Sequence, residues 1–254
     1  MKKIAYLSLC FASVLMANTA IAGPIYLSGS VEPWETQSIK TNLDTAFGAG
    51  NWDRATFGDA NLFDDIKDFV YIDGGGNTSG ALFAWLETER ANLENFVING
   101  GSVFLNAATW GESVSVFGST IKYQTDNNNN QNDSCFLTDN SFGKVGTFFT
   151  GSYCNHGQLE LSENGWKVLM NNTDGAILAE RSFGKGWLTL GNLTASQFWD
   201  AGNSGLDTNQ FRADLLLRAQ NLNGQVPQVS EPASVAFLSL GLMGFAWMRR
   251  KSKA

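Results

Sequence analysis

"DFVYIDGGG" (residues 68–76) runs four apolar or aromatic residues together, then an acid, then three glycines. A strand with no polar alternate positions has to be covered on both faces, as in a parallel sheet, and the glycines mark its end. "GSVFLNAATW" (101–110) has the same form, and "PIYLSGS" (24–30) is a shorter version. Helical signals lie between them. "ETQSIKTNLDTAFGAG" (35–50) sets Ile39, Leu43 and Phe47 four apart, with Gly48 and Gly50 as stops. "SGALFAWLETERANLENFVING" (79–100) places Leu82, Trp85 and Leu86 on one face and Leu93, Phe96 and Val97 further along. The first half therefore alternates strand and helix, which predicts an α/β fold with a mostly parallel sheet and helices on both faces.

The second half changes character. "SVSVFGSTIKY" (113–123) and "GTFFTGSY" (146–153) read as antiparallel or irregular additions flanking a polar low-complexity loop, "DNNNNQNDSC" (126–135). "WKVLMNN" (166–172), "GAILAERSFGKG" (175–186) and "WLTLGNL" (187–193) read as strands joined by turns at Asp174-Gly175 and Gly184-Lys185-Gly186. "NQFRADLLLRAQNL" (209–222) is a closing helix with Phe211, Leu215 and Ala219 on one stripe.

Both ends are set apart from this pattern. Residues 1–22 combine Lys2 and Lys3, an apolar run from Ile4 to Met16 and an Ala20-Ile21-Ala22 cleavage site, the parts of a secretory signal peptide. Residues 23–225 form one α/β domain, and 226–254 a linker and tail. Residues 23–229 carry 11 basic against 23 acidic groups, a net of −12. Such a surface repels phosphate backbones, so nucleic acid is not an expected partner. Export places Cys135 and Cys154 in an oxidising compartment, where a disulfide is the expected pairing and contributes about 3 kcal/mol. A reactive cysteine beside His156, the single histidine, is the alternative, but no acid follows at position 158 to orient that ring.

Ligands of open parallel sheets bind outside the carboxyl ends of the strands. Those ends bring up Ser28, Asp73 and Asn106, with Trp34, Trp110 and Asn192 nearby, as candidate ligand-binding residues. The plainer reading is that the glycines make tight turns and Asp73 caps one of them. "FVYIDGG" (69–75), "LENFVINGGSVFLNAATW" (93–110) and "FGKGWLTLGNLTASQFW" (183–199) resemble the class I glutamine amidotransferase-like fold, including its trehalose-utilisation-type relatives, over about residues 24–222. That resemblance implies a nucleophilic cysteine in the turn after the Gly100-Gly101 strand and a histidine late in the chain. Here the turn reads Asn106-Ala107-Ala108, and the late strand ends Gly191-Asn192-Leu193. Thiolate chemistry needs both nucleophile and base, so the domain is expected to be a non-catalytic relative.

Other chemistries lack their residues. "DGGGNTSG" (73–80) is neither a dinucleotide fingerprint nor a P-loop. One histidine cannot supply a zinc site. The 126–137 stretch has alternating oxygen donors, but Gln131 and Leu137 stand where a calcium loop needs glycine and an acid. No metal or cofactor is therefore expected. The pairs Asp64-Asp65 and Glu87-Glu89 read as solvated helix faces. Seven tryptophans (34, 52, 85, 110, 166, 187 and 199) lie in the domain, and any that are exposed could stack on sugar rings. The alternative to a binding domain is a secreted hydrolase using carboxylates near Asp73.

The tail "SEPASVAFLSLGLMGFAWMRRKSKA" (230–254) holds a mainly apolar stretch of 16 residues, 233–248, reaching about 24 Å as a helix. A hydrocarbon core is about 30 Å, so this is a marginal transmembrane span. Arg249, Arg250 and Lys251 would keep its end in the cytoplasm. Glu231-Pro232, the short apolar helix and the terminal arginines resemble the PEP-CTERM sorting signal of Gram-negative bacteria, with Ser230 where the usual first proline stands. This implies transient insertion in the inner membrane and an exosortase-type processing enzyme as partner. It also implies cleavage near Glu231-Pro232 and release to the cell surface or exopolysaccharide matrix, so exopolysaccharide or another biofilm component becomes a candidate ligand.

Overall fold

A computed structural model describes residues 23–59, 62–65, 68–123, 134–151, 153–162 and 164–222. The expected signal peptide (1–22), the polar stretch at 126–133, the side chains of Asp64 and Asp65, and the sorting tail lie outside the described residues.

The apolar runs form strands as expected: β1 (Ile25–Ser28), β3 (Phe69–Asp73) and β4 (Ser102–Asn106). The periodic stretches form α1 (Ser38–Phe47), α3 (Ser79–Ile98) and a closing α4 (Thr208–Asn221), capped by the Asp207 carboxylate, which accepts from the Gln210 N–H. Between α1 and β3 the chain also makes β2 (Asp53–Thr56) and a single turn, α2 (Leu62–Asp65). The second half supplies β5 (Val114–Val116), β6 (Ser119–Tyr123), β7 (Cys135–Leu137), β8 (Phe148–Gly151) and β9 (Gly157–Glu160). It continues with β10 (Lys167–Asn171), β11 (Ala176–Phe183), β12 (Gly186–Gly191) and the two-residue β13 (Trp199–Asp200).

Ten strands make one sheet in the order β13-β8-β7-β10-β11-β12-β4-β3-β1-β2. From β12 to β2 every neighbour is parallel. From β13 to β12 every neighbour is antiparallel. The α/β expectation thus holds; of the two expected additions, 146–153 joins the antiparallel half of this sheet as β8, and 113–123 makes β5 and β6 outside it. A separate antiparallel sheet, β5-β6-β9, lies on one face.

Alternation along the central strands decides which layer each residue meets. Tyr26, Phe69, Tyr71 and Phe104 face the α1/α4 side and pack with Ile39, Leu43, Phe211 and Leu215. Leu27, Val70, Ile72, Val103 and Leu105 face α3 and the small sheet, meeting Leu82, Trp85, Leu93, Val97 and Ile121. Each such fully buried side chain contributes roughly 1.5–3 kcal/mol.

The segment between β8 and β9 is tied down by the expected disulfide, Cys135–Cys154, whose Cα atoms are 6.2 Å apart. Asn155 Nδ2 adds a contact to Cys135 Sγ. This staple fixes the two residues just before His156. Among the described residues no helix is long and apolar enough to cross a membrane.

Candidate functional site

Register aligns the carboxyl ends of the parallel strands. Asp73 pairs with Asn106, and Asn106 with Gly191, while Leu27 opposite Ile72 sets Ser28 beside Asp73. All six sequence candidates therefore gather at one sheet edge, but they divide into two kinds.

Four are sealed and serve the backbone. Ser28 Oγ donates to the Asp73 carbonyl, 2.8 Å. Asn106 pairs its side-chain amide with Leu193 in both directions: Nδ2 donates to the Leu193 carbonyl (2.8 Å), and Oδ1 accepts the Leu193 N–H (2.9 Å). Asn192 Oδ1 accepts the His156 N–H (3.0 Å), and its Nδ2 donates to the Lys122 carbonyl (3.1 Å). These residues hold the loops after β4 and β12 and the disulfide-tied segment in fixed relation.

Asp73 was expected to open onto the crevice, and here the structure corrects the expectation. Its side chain is 1% exposed because strand parity puts it on the same face as Tyr71, beneath α1 and α4. Oδ2 accepts from the Tyr71 hydroxyl (2.8 Å) and Oδ1 from the Gly75 N–H (3.0 Å). Arg212 of α4 reaches the Tyr71 oxygen at 3.3 Å. Burial pushes the Asp73 carboxyl above its usual range, against the pull of Arg212 and of the Gly75 and Tyr71 hydrogen bonds. Burial and the Asp73 charge likewise raise Tyr71, so its phenol keeps the proton it donates.

The two tryptophans are the accessible members. Trp34 and Glu35 occupy consecutive left-handed conformations, φ 61° and 53°. Non-glycine residues rarely adopt this region. The Trp34 N–H donates to Asn77 Oδ1 (2.9 Å), and Thr36 Oγ1 donates to the Gln197 side-chain oxygen, so the turn is held on both sides. The indole lies against bare backbone: a Cβ on Gly75 would sit 2.8 Å from Trp34 Nε1, and one on Gly76 would sit 2.8 Å from Cδ2.

Trp110 is 53% exposed. Its ring centroid is 6.1 Å from Trp34 and 4.4 Å from His156. His156 is in turn 4.7 Å from Trp34. Tyr153, Tyr123 and Phe198 extend the cluster, each within 6.3 Å of one of these rings. His156 itself is 7% exposed, and its Nδ1 lies 3.3 Å from the Thr109 carbonyl. A carbonyl only accepts, so Nδ1 carries the hydrogen in this contact. The histidine is thus a wedge between two indoles. Sequence reasoning weighed it only as a partner for a free cysteine. A lone histidine gives no local signal of such packing, although its place two residues after a disulfide cysteine already fixed it in ordered backbone.

The turn that would hold a nucleophilic cysteine presents buried Ala107 and Ala108. Among the described residues no group of three His, Cys, Asp or Glu side chains is placed to hold a metal ion. Chemically, the edge offers a partly exposed aromatic surface on a rigid polar frame.

Residues 228–251 match the PEP-CTERM protein-sorting motif. The chain is therefore an exported protein that carries a C-terminal sorting signal, passes through a membrane-anchored intermediate and is a substrate for exosortase processing. A sequence search of curated proteins found no match. The fold is similar to the cytoplasmic protein STM1381 from Salmonella typhimurium LT2, at 10% identity and TM-score 0.52, over 78% of this chain and 99% of that one. It is also similar to a candidate GMP synthase subunit from Thermoplasma acidophilum, at 8% identity and TM-score 0.51, over 83% and 98%. At these identities the likeness is one of fold, compatible with an amidotransferase-like sheet.

Proposed function

We propose that the domain is a non-catalytic, amidotransferase-like module that binds glycan or another matrix component at the cell surface or in the exopolysaccharide matrix. In this reading the sorting tail delivers the domain, and the aromatic edge retains it there. The observation that carries it is Trp110, half-exposed and braced on His156 and Trp34 at the sheet edge where α/β folds bind ligands. Flat aromatic surface on a rigid frame suits sugar rings, whose C–H faces stack on indoles. The alternative, a hydrolase working through Asp73, would require substrate to reach a carboxylate sealed beneath Tyr71 and the Gly75 turn.

A glycan-array screen of the exported protein, paired with Trp110→Ala, tests the proposal. A bound glycan class whose retention falls at least about tenfold in the variant supports it, since stacking on one aromatic ring is worth about 1–3 kcal/mol in comparable base–aromatic contacts. Retention that ignores Trp110 would overturn it.

A further inference from the structure

A cleft of about 680 Å³ opens on the other side of the Trp34–Glu35 turn, lined among others by Glu32, Glu35, Lys40, Trp52, Arg54 and Asn77. It is joined to the aromatic edge through the turn itself: Asn77 lines the cleft and accepts the Trp34 N–H, and Glu35 follows Trp34 directly. A chain-like ligand resting on Trp110 and Trp34 has this cleft as its next space.

The charges of the cleft are not equivalent. Arg54 is committed to Glu32, and its guanidinium also reaches the Gly29 carbonyl at 3.2 Å. Lys40 is committed to Asp44, 2.5 Å. Glu32 takes a second hydrogen bond from the Tyr26 hydroxyl, 3.0 Å. The Glu35 side chain is exposed and makes none of the hydrogen bonds or ion pairs found in the rest of the cleft. With Arg54 paired to Glu32 and Lys40 to Asp44 just outside the lining, Glu35 is left as the one uncompensated negative group of the cleft, on a domain that is itself strongly acidic. Trp52 also lines the cleft as an aromatic wall, with its indole N–H donated to Asp44 at 2.9 Å. A carboxylate and an aromatic wall lining one cleft are suited to an organic cation on a ring. A single uncommitted carboxylate is too few donors for a divalent ion, and an acidic sugar would be repelled.

We propose that this cleft is a subsite for a protonated amino sugar, so that the ligand is an oligosaccharide with free amines rather than a neutral or uronate-rich one. The proposal rests on the glycan reading above. Isothermal titration of the full exported protein with a glucosamine hexamer and an N-acetylglucosamine hexamer, at pH 6 and low salt, tests it. Wild type should bind the amine form tighter by about threefold to fivefold, the size of an exposed ion pair. Glu35→Gln should erase that preference without altering binding of the acetylated form. Trp110→Ala should weaken both. If Trp110→Ala weakens both while Glu35→Gln changes neither, the amine subsite is refuted and the aromatic platform stands. If wild type favours the acetylated hexamer, the subsite is also refuted. If neither hexamer binds while the glycan array finds another class whose retention depends on Trp110, the subsite is refuted and the platform stands; if the array also finds no Trp110-dependent class, both readings fall.

Discussion

The position of the Trp34 indole rests on two glycines, and this can be tested by adding one carbon. Gly75 has φ −74° and ψ 161°, which any residue adopts, so Gly75→Ala is a purely steric change. The new Cβ would lie 2.8 Å from Trp34 Nε1, 3.4 Å from Cε2 and 3.2 Å from Asp73 Oδ1. Comfortable contact needs about 3.5–4.0 Å, so the ring has to withdraw by roughly 1 Å. Overpacking of this kind costs about 1–3 kcal/mol. The loss of unfolded-chain freedom on replacing glycine offsets about 0.4–1 kcal/mol. A net loss of about 1–2 kcal/mol should appear as a lower urea midpoint with unchanged slope. Gly76→Ala meets the same ring at 2.8 Å and also needs φ +55°, so it should cost about 1–2 kcal/mol more. Both variants should weaken glycan binding. The decisive control is Trp34→Ala, in whose background most of the Gly75→Ala penalty should disappear, leaving only the 3.2 Å approach to Asp73 Oδ1. If Gly75→Ala is as damaging without the indole as with it, the packing argument for the platform is wrong.

Replacing Cys135 and Cys154 together by serine should cost about 3 kcal/mol in urea unfolding, and should weaken ligand binding because the Tyr153–His156 segment loses its staple. Unchanged affinity would separate the disulfide from the site. Because burial raises the Asp73 pKa, the folded state holds that proton more tightly than the unfolded chain, whose value is 3.8. Wild-type stability therefore falls as pH rises from that value through the raised folded one, while Asp73→Asn lacks this dependence. The variant's cost should be greatest below about pH 4 and shrink toward pH 7, and a pH-independent difference in urea midpoints would refute it. Mass spectrometry of the exported protein should find a C-terminus near Glu231-Pro232. An intact Ala254 on the exported protein would exclude processing, and Arg249→Ala with Arg250→Ala should reduce it.

Parallel strands and long helices were legible because burial on two faces leaves continuous apolar runs, and burial on one leaves a helical period. β2 was not: "DRAT" is a half-exposed edge strand whose partner β1 supplies the ordering that its own composition does not. β9 was missed for a similar reason, since only two of its four residues are buried. At the site, the six candidates were brought to one edge by strand register, which the rule about carboxyl ends anticipates. The burial of Asp73 was also within reach: it is two residues from Tyr71 and so shares its face. What no local pattern could give was the meeting of Trp34, Trp110 and His156, which come from three separate loops. Nor could it show that Asn106 and Asn192 spend their side chains on backbone across the edge.

The Trp34–Glu35 turn argues that the edge is built for more than closure. Two adjacent side-chained residues in left-handed backbone cost about 1–2 kcal/mol each, and glycine at either place would remove that cost. The fold spends further groups on keeping the turn: Asn77 on the Trp34 N–H, Gln197 on Thr36, and bare backbone at Gly75 and Gly76 to make room for the ring. Strain kept in place by so many neighbours points to the side chains it aims. One of them, Trp34, backs the exposed indole and His156. The next, Glu35, stands alone in a cleft whose other charges are paired. A turn selected only to connect β1 to α1 would need neither. The same residues would be required if the edge and the cleft took successive rings of one glycan, with the sealed polar row beneath them keeping the two surfaces in register.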